Sequence, residues 1–293
     1  MFANQYYCLV AGLKEYTLDA DVKGFDAPAL IAEIREGVSK RDRHAIDLLY
    51  TYYDIENIIS LRAGREQFSG LGHFSRQELE EELRQPVRLP AWMGRVIAAF
   101  RAESDPETPA EERSEESFEH RLLTAYYDTC ARSRSGFLRR WSDFDRTLRN
   151  VTAALSARRL GLSPAGSIVG RGEIETALAR SSAADFGLRS EVDYVEQVIA
   201  AMGSDANLLE KEHRLDALRW SKAEELACMH YFDLDYLLSY LVRINLIHRW
   251  AALDPARGRR MLDALMASFS EAGRRTGEGA EQTGQTPDHE RDE

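Results

Sequence analysis

Residues 44–64, HAIDLLYTYYDIENIISLRAG, decide the fold class of this chain. Their apolar side chains recur at the three-to-four-residue spacing of a helix, and Gly64 suits a helix C-terminus. The same periodicity extends in both directions. It begins at Ala27 (APALIAEIREGVS), where Leu30, Ile31 and Ile34 share a face. It returns at Ser75 to Leu83 and, after the turn at Pro86 and Pro90, in AWMGRVIAAFR. From Phe118 it runs almost without pause to Leu160, where Gly161, Pro164, Gly166, Gly170 and Gly172 predict a loop. Further helices are expected from Ile174, Glu191 and Leu208. Tyr231 to Trp250 is apolar nearly all round, with a narrow polar stripe of Asp235, Ser239 and Arg243, the pattern of a central core helix. Tyr6 to Leu13 is the best extended candidate, a short strand or arm. The fold is therefore expected to be all-α, mainly helical, with a short N-terminal extended segment.

One short pattern recurs. Tyr52-Tyr53-Asp54-Ile55-Glu56, Trp141-Ser142-Asp143-Phe144-Asp145 and Tyr231-Phe232-Asp233-Leu234-Asp235 share the form aromatic, any, Asp, apolar, acid. Their first aspartates lie 89 and then 90 residues apart. DIENIIS and DLDYLLS agree further, with Glu56 and Ser60 matching Asp235 and Ser239, whereas the middle copy continues as the more polar RTLRNVTAAL. Even spacing suggests a triplicated helical module of roughly ninety residues. A local alternative is that each Asp caps a helix, with Phe232 packing on Leu237 and Tyr53 on Ile58. Ser142 and Thr147 cannot make that apolar contact, so capping covers two copies of the three.

The expected organisation is a first helical module with the extended arm over 1–101 and an acidic linker over 102–119. A second module over 120–190, a third over 191–276 and a disordered tail over 277–293 follow. The linker carries Glu103, Asp105, Glu107, Glu111, Glu112, Glu115, Glu116 and Glu119 around Pro106 and Pro109, a composition that solvates rather than packs.

A net charge of -11 argues against a protein that coats nucleic acid, which needs a basic face. No apolar run approaches the ~20 residues of a membrane span, and the start is not built as a secretory signal. Cys8, Cys130 and Cys228 lack metal-ligand spacing and read as buried free thiols of a reducing, cytoplasmic compartment.

Chemistry is sparse. Glu210-Lys211-Glu212-His213 contains ExxH, half of the ligand set of a helical di-iron site, but no other histidine has a Glu three residues before it. Gly170-Arg171-Gly172 places Glu175 where a third glycine would approach a dinucleotide. The GxSxG, HExxH and Walker A patterns are absent, and adjacent acids such as Glu80 and Glu81, or Glu224 and Glu225, diverge around a helix. No catalytic, cofactor-binding or metal residue is expected, and the chain is read as a binding part and not an enzyme.

SSAADFGLRSEVDYVEQV, LLEKEHRLDALRW and HYFDLDYLLSYLVRINLIHRWAALDPARGRRMLDAL, with QYYCLVAGLKEYTLD at the start, resemble a bacterial family of unknown function encoded among V-type ATPase genes, notably in Bacteroidetes. That resemblance implies a rotary-motor component working in ion transport. It points to a counterpart of the funnel subunit designated C (or d) in V-type ATPases, in which three similar helical modules seat the central stalk on the proteolipid ring. The modules of that funnel tend to carry Asp-x-x-Asn-apolar, which Asp54 to Ile58 resembles; Arg146 and Tyr236 stand where Asn57 stands in the other copies. The implied partners are the central-stalk subunits and the proteolipid ring. The protein would be monomeric when isolated and peripheral on the cytoplasmic membrane face when assembled, with no nucleic acid, no membrane insertion and no cofactor. An assembly factor or regulator of that ATPase is the alternative, and a helical metal-dependent enzyme a third. Candidate partner-binding or module-stabilising residues are Asp54, Glu56, Arg62, Asp143, Asp145, Asp233, Asp235 and Arg243.

Overall fold

Four of the helices begin at a serine. Ser39, Ser75, Ser117 and Ser135 each accept a hydrogen bond on the side-chain oxygen from the backbone N–H three residues on. Asp26 and Asn207 cap two more in the same way. Each such bond satisfies a donor that the helix leaves orphaned and contributes about 1 kcal/mol. The computed structural model, which describes residues 4–19, 25–105, 109 and 116–253, is helical throughout, with no strand among the described residues. The helices are α1 (Tyr7–Gly12), α2 (Ala27–Gly37), α3 (Lys40–Arg62), α4 (Arg76–Arg84), α5 (Ala91–Glu103) and α6 (Phe118–Ala131). They continue as α7 (Gly136–Arg159), α8 (Glu173–Arg180), α9 (Val195–Gly203), α10 (Leu208–Ala227) and α11 (Leu234–Ala251).

The chain divides into two units, Met1–Leu246 and Ile247–Glu293. Within the first, α7 packs on α6, α8, α9 and α10, and α3 packs on α2, α4 and α6. Phe137, Leu138, Leu148 and Val151 on α7 and Ile46, Ile55 and Ile58 on α3 are completely enclosed. The central position expected of α11 is seen over Leu237 to Leu246, where Leu237, Leu238, Leu241 and Ile244 are buried. In the second unit, residues 247–253 are described; Ala252 donates to the His248 carbonyl and Leu253 to that of Trp250, which closes the helix end.

Helices α7 and α10 are antiparallel: Arg140 reaches the Leu226 carbonyl near one end, and Arg219 reaches Asp145 nearer the middle. Helices α10 and α11 are antiparallel too: the Ser239 hydroxyl donates to the Ala223 carbonyl, and further along α11 Arg243 lies over Trp220, earlier on α10.

The two longest helices end alike. After α3, Gly64 has φ 65°, and the Arg65 N–H reaches back to the Ser60 carbonyl; after α7, Gly161 has φ 67°, and the Leu162 N–H reaches the Ala157 carbonyl. This is the αL glycine stop, a conformation that costs a β-carbon-bearing residue about 1 kcal/mol.

Three expectations are corrected. The N-terminal extended segment is the short helix α1, which buries none of its residues. A strand needs a neighbouring edge for its backbone groups, and the described fold has none to offer, so the segment closes its own bonds, with Val10 N–H to the Tyr6 carbonyl. It is held at its flanks: the Tyr6 N–H donates to the Phe232 carbonyl, and the Tyr240 hydroxyl to that of Lys14. Second, the run from Phe118 to Leu160 is two helices, because the Ser135 cap restarts the chain after Ala131.

The third concerns the thiols. Only Cys130 is buried; Cys8 and Cys228 are exposed, on a helix that packs nothing inward and at the end of α10. Burial pushes the Cys130 thiol up to about 12. Two thiols are therefore expected to react promptly with a colorimetric disulfide reagent in native protein and the third only on unfolding, which stopped-flow titration checks.

The acidic segment is trimmed as well. Glu103 belongs to α5, and Phe118 and Glu119 to α6. Three of its carboxylates are not simply solvated, since Glu103 holds Arg121 through both oxygens, Glu116 holds Arg171 and Glu119 holds Arg149; Glu107, Glu111, Glu112 and Glu115 lie outside the described residues. The expected tail over 277–293, and the third module beyond 253, lie outside the described residues. No described helix is long and apolar enough to cross a membrane.

Candidate functional site

The YYDIENIIS stretch lies in the second half of α3, so Asp54 is not a cap. Its carboxylate is buried and gathers the returning loop. Oδ1 accepts from the backbone N–H of His73 at 2.7 Å and of Phe74 at 3.3 Å, and Oδ2 takes the His73 Nδ1 at 2.7 Å. The other ring nitrogen lies 3.8 Å from Asp47, itself 2.7 Å from Arg35. Burial of the ring opposes its charged form, but the flanking carboxylates of Asp47 and Asp54 outweigh it and raise the His73 pKa to about 9. The loop passes so close that a β-carbon at Gly72 would stand 2.5 Å from Asp54 Oδ1.

One turn on, Asn57 completes the clamp. Its amide donates to the Ser69 carbonyl at 2.9 Å and its oxygen accepts the Ser69 N–H at 2.7 Å. Helix α7 repeats this arrangement with Asn150, whose amide donates to the Val169 carbonyl at 2.8 Å while its oxygen accepts the Val169 N–H at 2.9 Å. In each case a buried asparagine in the second half of a long helix reads both backbone groups of one residue in the loop that follows. Truncating Asn150 to alanine orphans a buried donor and a buried acceptor, at an expected cost of about 2 kcal/mol. Urea melts should show a smaller loss for Asn57→Ala, because Ser69 is less enclosed than Val169. Helix α11 carries Asn245 in a related place, buried, its oxygen accepting from the Tyr50 hydroxyl of α3 at 2.9 Å. Asn57, Asn150 and Asn245 are 93 and 95 residues apart, each followed by an apolar residue.

The recurring acids, by contrast, do unlike things. Asp143 is exposed on α7 and pairs with Arg146 one turn on. Asp145 accepts the Tyr127 hydroxyl at 2.8 Å and faces Arg219 at 3.8 Å. Asp233 caps α11, accepting the Tyr236 N–H at 3.1 Å and contacting His230 Nδ1 at 2.6 Å. Asp235 caps a different helix: it accepts the Ser135 hydroxyl at 2.7 Å and the Phe137 N–H at 3.0 Å at the start of α7. Glu56 is exposed on α3. The Arg62 guanidinium sits 4.3 and 4.2 Å from the rings of Phe100 and Phe118, fastening the end of α3 to α5 and α6. Arg243 pairs with Glu224 of α10 and lies over Trp220. The eight candidates therefore do not converge on one site; most tie one element to another.

A second polar centre escaped the sequence. Arg219 of α10, half-buried, is 2.7 Å from the fully buried Asp216 and near Asp145, while Arg149 of α7 pairs with Glu119 of α6. Burial alone would lower the Arg219 pKa, but Asp145 and Asp216 hold it up. The hydroxyls of Tyr126 and Tyr127 beside it are pushed well above their ordinary range by burial. This network joins α6, α7 and α10 and places fixed charge, with no nucleophile paired to a base.

The ExxH residues turn away from each other: Glu210 pairs with Arg214, and His213 Nε2 meets Asp19 at 2.8 Å. Among the described residues, no group of three or more His, Cys, Asp or Glu is placed to hold a metal ion.

A family model matches residues 3–269, nearly the whole chain. The chain belongs to the family described as protein of unknown function (DUF2764). No curated protein matches it. Membership fixes the unit over which the clamps and polar network should be compared, since both lie inside the matched region.

Proposed function

We propose that the chain is a non-catalytic subunit of a bacterial V-type (V/A-type) ATPase, coupling the central stalk to the membrane rotor ring. The observation that carries this reading is the recurrence of the asparagine clamp. Long helix, αL glycine stop, clamped loop and short helix follow one another at α3–α4 and again at α7–α8, and Asn245 supplies a third asparagine at similar spacing. An internally repeated helical body is what the funnel of a V-type ATPase offers a stalk. The module boundaries 1–101, 120–190 and 191–276 belong to this proposal.

Mechanical coupling asks for stiffness and for two separated contact faces. Stiffness comes from close-packed helices whose loops are pinned to them. Leu160, Leu162, Leu208 and Leu209 are exposed where α7 ends and α10 begins, and Met229 and Tyr231 are exposed where α10 ends. The length of α7 separates these apolar groups by about 36 Å. In this reading one end meets the stalk and the other the cytoplasmic loops of the proteolipid ring.

Purification of the intact ATPase from cells that carry this chain tests the proposal. One copy per rotor, with loss of ATP-driven ion pumping on its deletion, is the expected result. A motor that assembles and pumps without the chain would overturn it and favour an assembly factor or regulator.

A further inference from the structure

A concavity of about 700 Å³ opens between the first turn of α6, the second half of α7, the 165–167 turn and the start of α10. Its walls carry Arg149, Arg159, Lys211 and Arg219 against two carboxylates, Glu119 and Glu212. That is an excess of positive charge in a chain whose net charge is -11.

The four cations are not equivalent. Arg149 is committed to Glu119, and Arg219 is held from behind by Asp216 and Asp145. The side chains of Arg159 and Lys211 make no hydrogen bond or ion pair among the described residues. They approach from different helices, and the Ser167 hydroxyl, also without a hydrogen bond among the described residues, faces the same space from the turn. An ammonium, a guanidinium and a hydroxyl brought to one cavity by three elements are the donor types that recognise phosphate oxygens. The volume exceeds what one orthophosphate fills and is in the range of small-molecule sites. The first turns of α6 and α10 border the cavity and add partial positive charge.

We propose that this cavity binds a small phosphate-bearing anion of diphosphate size or larger, with Lys211 and Arg159 as its principal contacts. The proposal is independent of any role in a rotary motor. Arg219 belongs to the supporting network, so it is not the residue to vary.

The test is calorimetric titration of the full chain with pyrophosphate, orthophosphate and citrate at matched ionic strength, beside the variant Arg159→Ala/Lys211→Ala. Neither side chain supports the fold by an ion pair, and far-UV circular dichroism and the ligand-free melting temperature check that the variant is intact. Saturable pyrophosphate binding, tighter than orthophosphate or citrate, is the expected result, weakened by about tenfold or more in the variant through loss of two charge-assisted contacts. Absence of saturable binding at millimolar pyrophosphate would overturn the proposal. Equal affinity in the folded variant would overturn the site, and citrate binding as tightly as pyrophosphate would overturn the phosphate assignment.

Discussion

Asp54→Ala is expected to destabilise the protein by about 3–5 kcal/mol, the range for removing one partner of a buried ion pair. The substitution takes away the acceptor for two backbone N–H groups and leaves the His73 imidazolium with only the more distant Asp47. It also opens a void against Gly72, whose backbone has no side chain to fill it. The His73–Phe74 end of the loop should loosen from α3 while Asn57 still holds Ser69, so hydrogen exchange at His73 and Phe74 should accelerate more than at the buried amides of α7. Urea unfolding gives the free energy, and a loss under 1 kcal/mol would refute this account of the clamp.

The same clamp makes stability depend on pH in a definite direction. The folded His73 pKa, about 9, lies above its ordinary value of 6.5, so the folded state holds the proton more tightly than the unfolded chain. Its contribution is then fully present below about pH 6.5 and disappears as pH rises through 9. A shift of that size corresponds to about 3 kcal/mol at most. Wild type should therefore lose stability between pH 6.5 and 9.5, and Asp54→Asn should lose much less over the same interval. Equal slopes in the two proteins would show that Asp54 does not hold the proton on His73.

The helical class is legible because α3, α7 and α11 keep an uninterrupted period over 18 to 24 residues, long enough for pattern to dominate. Gly64 and the glycine-rich stretch after Leu160 mark real ends for the same local reason, a backbone conformation that favours glycine. The Tyr6 to Leu13 segment is not legible, since a short apolar run takes its conformation from the neighbours it finds. At the site, even spacing singles out the aspartates at 54, 143 and 233, but a carboxylate serves caps, ion pairs and loop clamps alike. The asparagines carry the stronger signal. A neutral amide that both donates and accepts is needed wherever a buried loop presents one N–H and one C=O, and that demand survives a shift of register. In this register Asp54-Ile55-Glu56-Asn57-Ile58 lies against Thr147-Leu148-Arg149-Asn150-Val151 and Val242-Arg243-Ile244-Asn245-Leu246. The middle copy is then no weaker than the third. His73, Arg149 and the Arg219–Asp145 contact stay hidden because the partners are distant in sequence, and no local pattern encodes a contact of that kind.

Arg219→Met is the second large effect, again about 3–5 kcal/mol, because it removes the guanidinium 2.7 Å from Asp216, a carboxylate that no solvent reaches. The unbranched stem of methionine preserves packing along α10, so the loss isolates the charge and not the volume. A compensating change separates the two meanings a buried ion pair can have. If the pair serves only as satisfied polarity, Arg219→Met/Asp216→Leu should recover most of the stability, since replacing both partners by apolar groups is often neutral. Asp145 keeps the Tyr127 hydroxyl and the nearby charge of Arg149 in that background, so it is not abandoned. Should the double variant remain as unstable as the single one, the network would instead be required to align α6, α7 and α10 with one another. A double-mutant cycle by urea unfolding measures the coupling directly. That outcome bears on both proposals: the cavity cations stand on these same helices, and torque can pass through the body only if α7 and α10 keep their alignment under load.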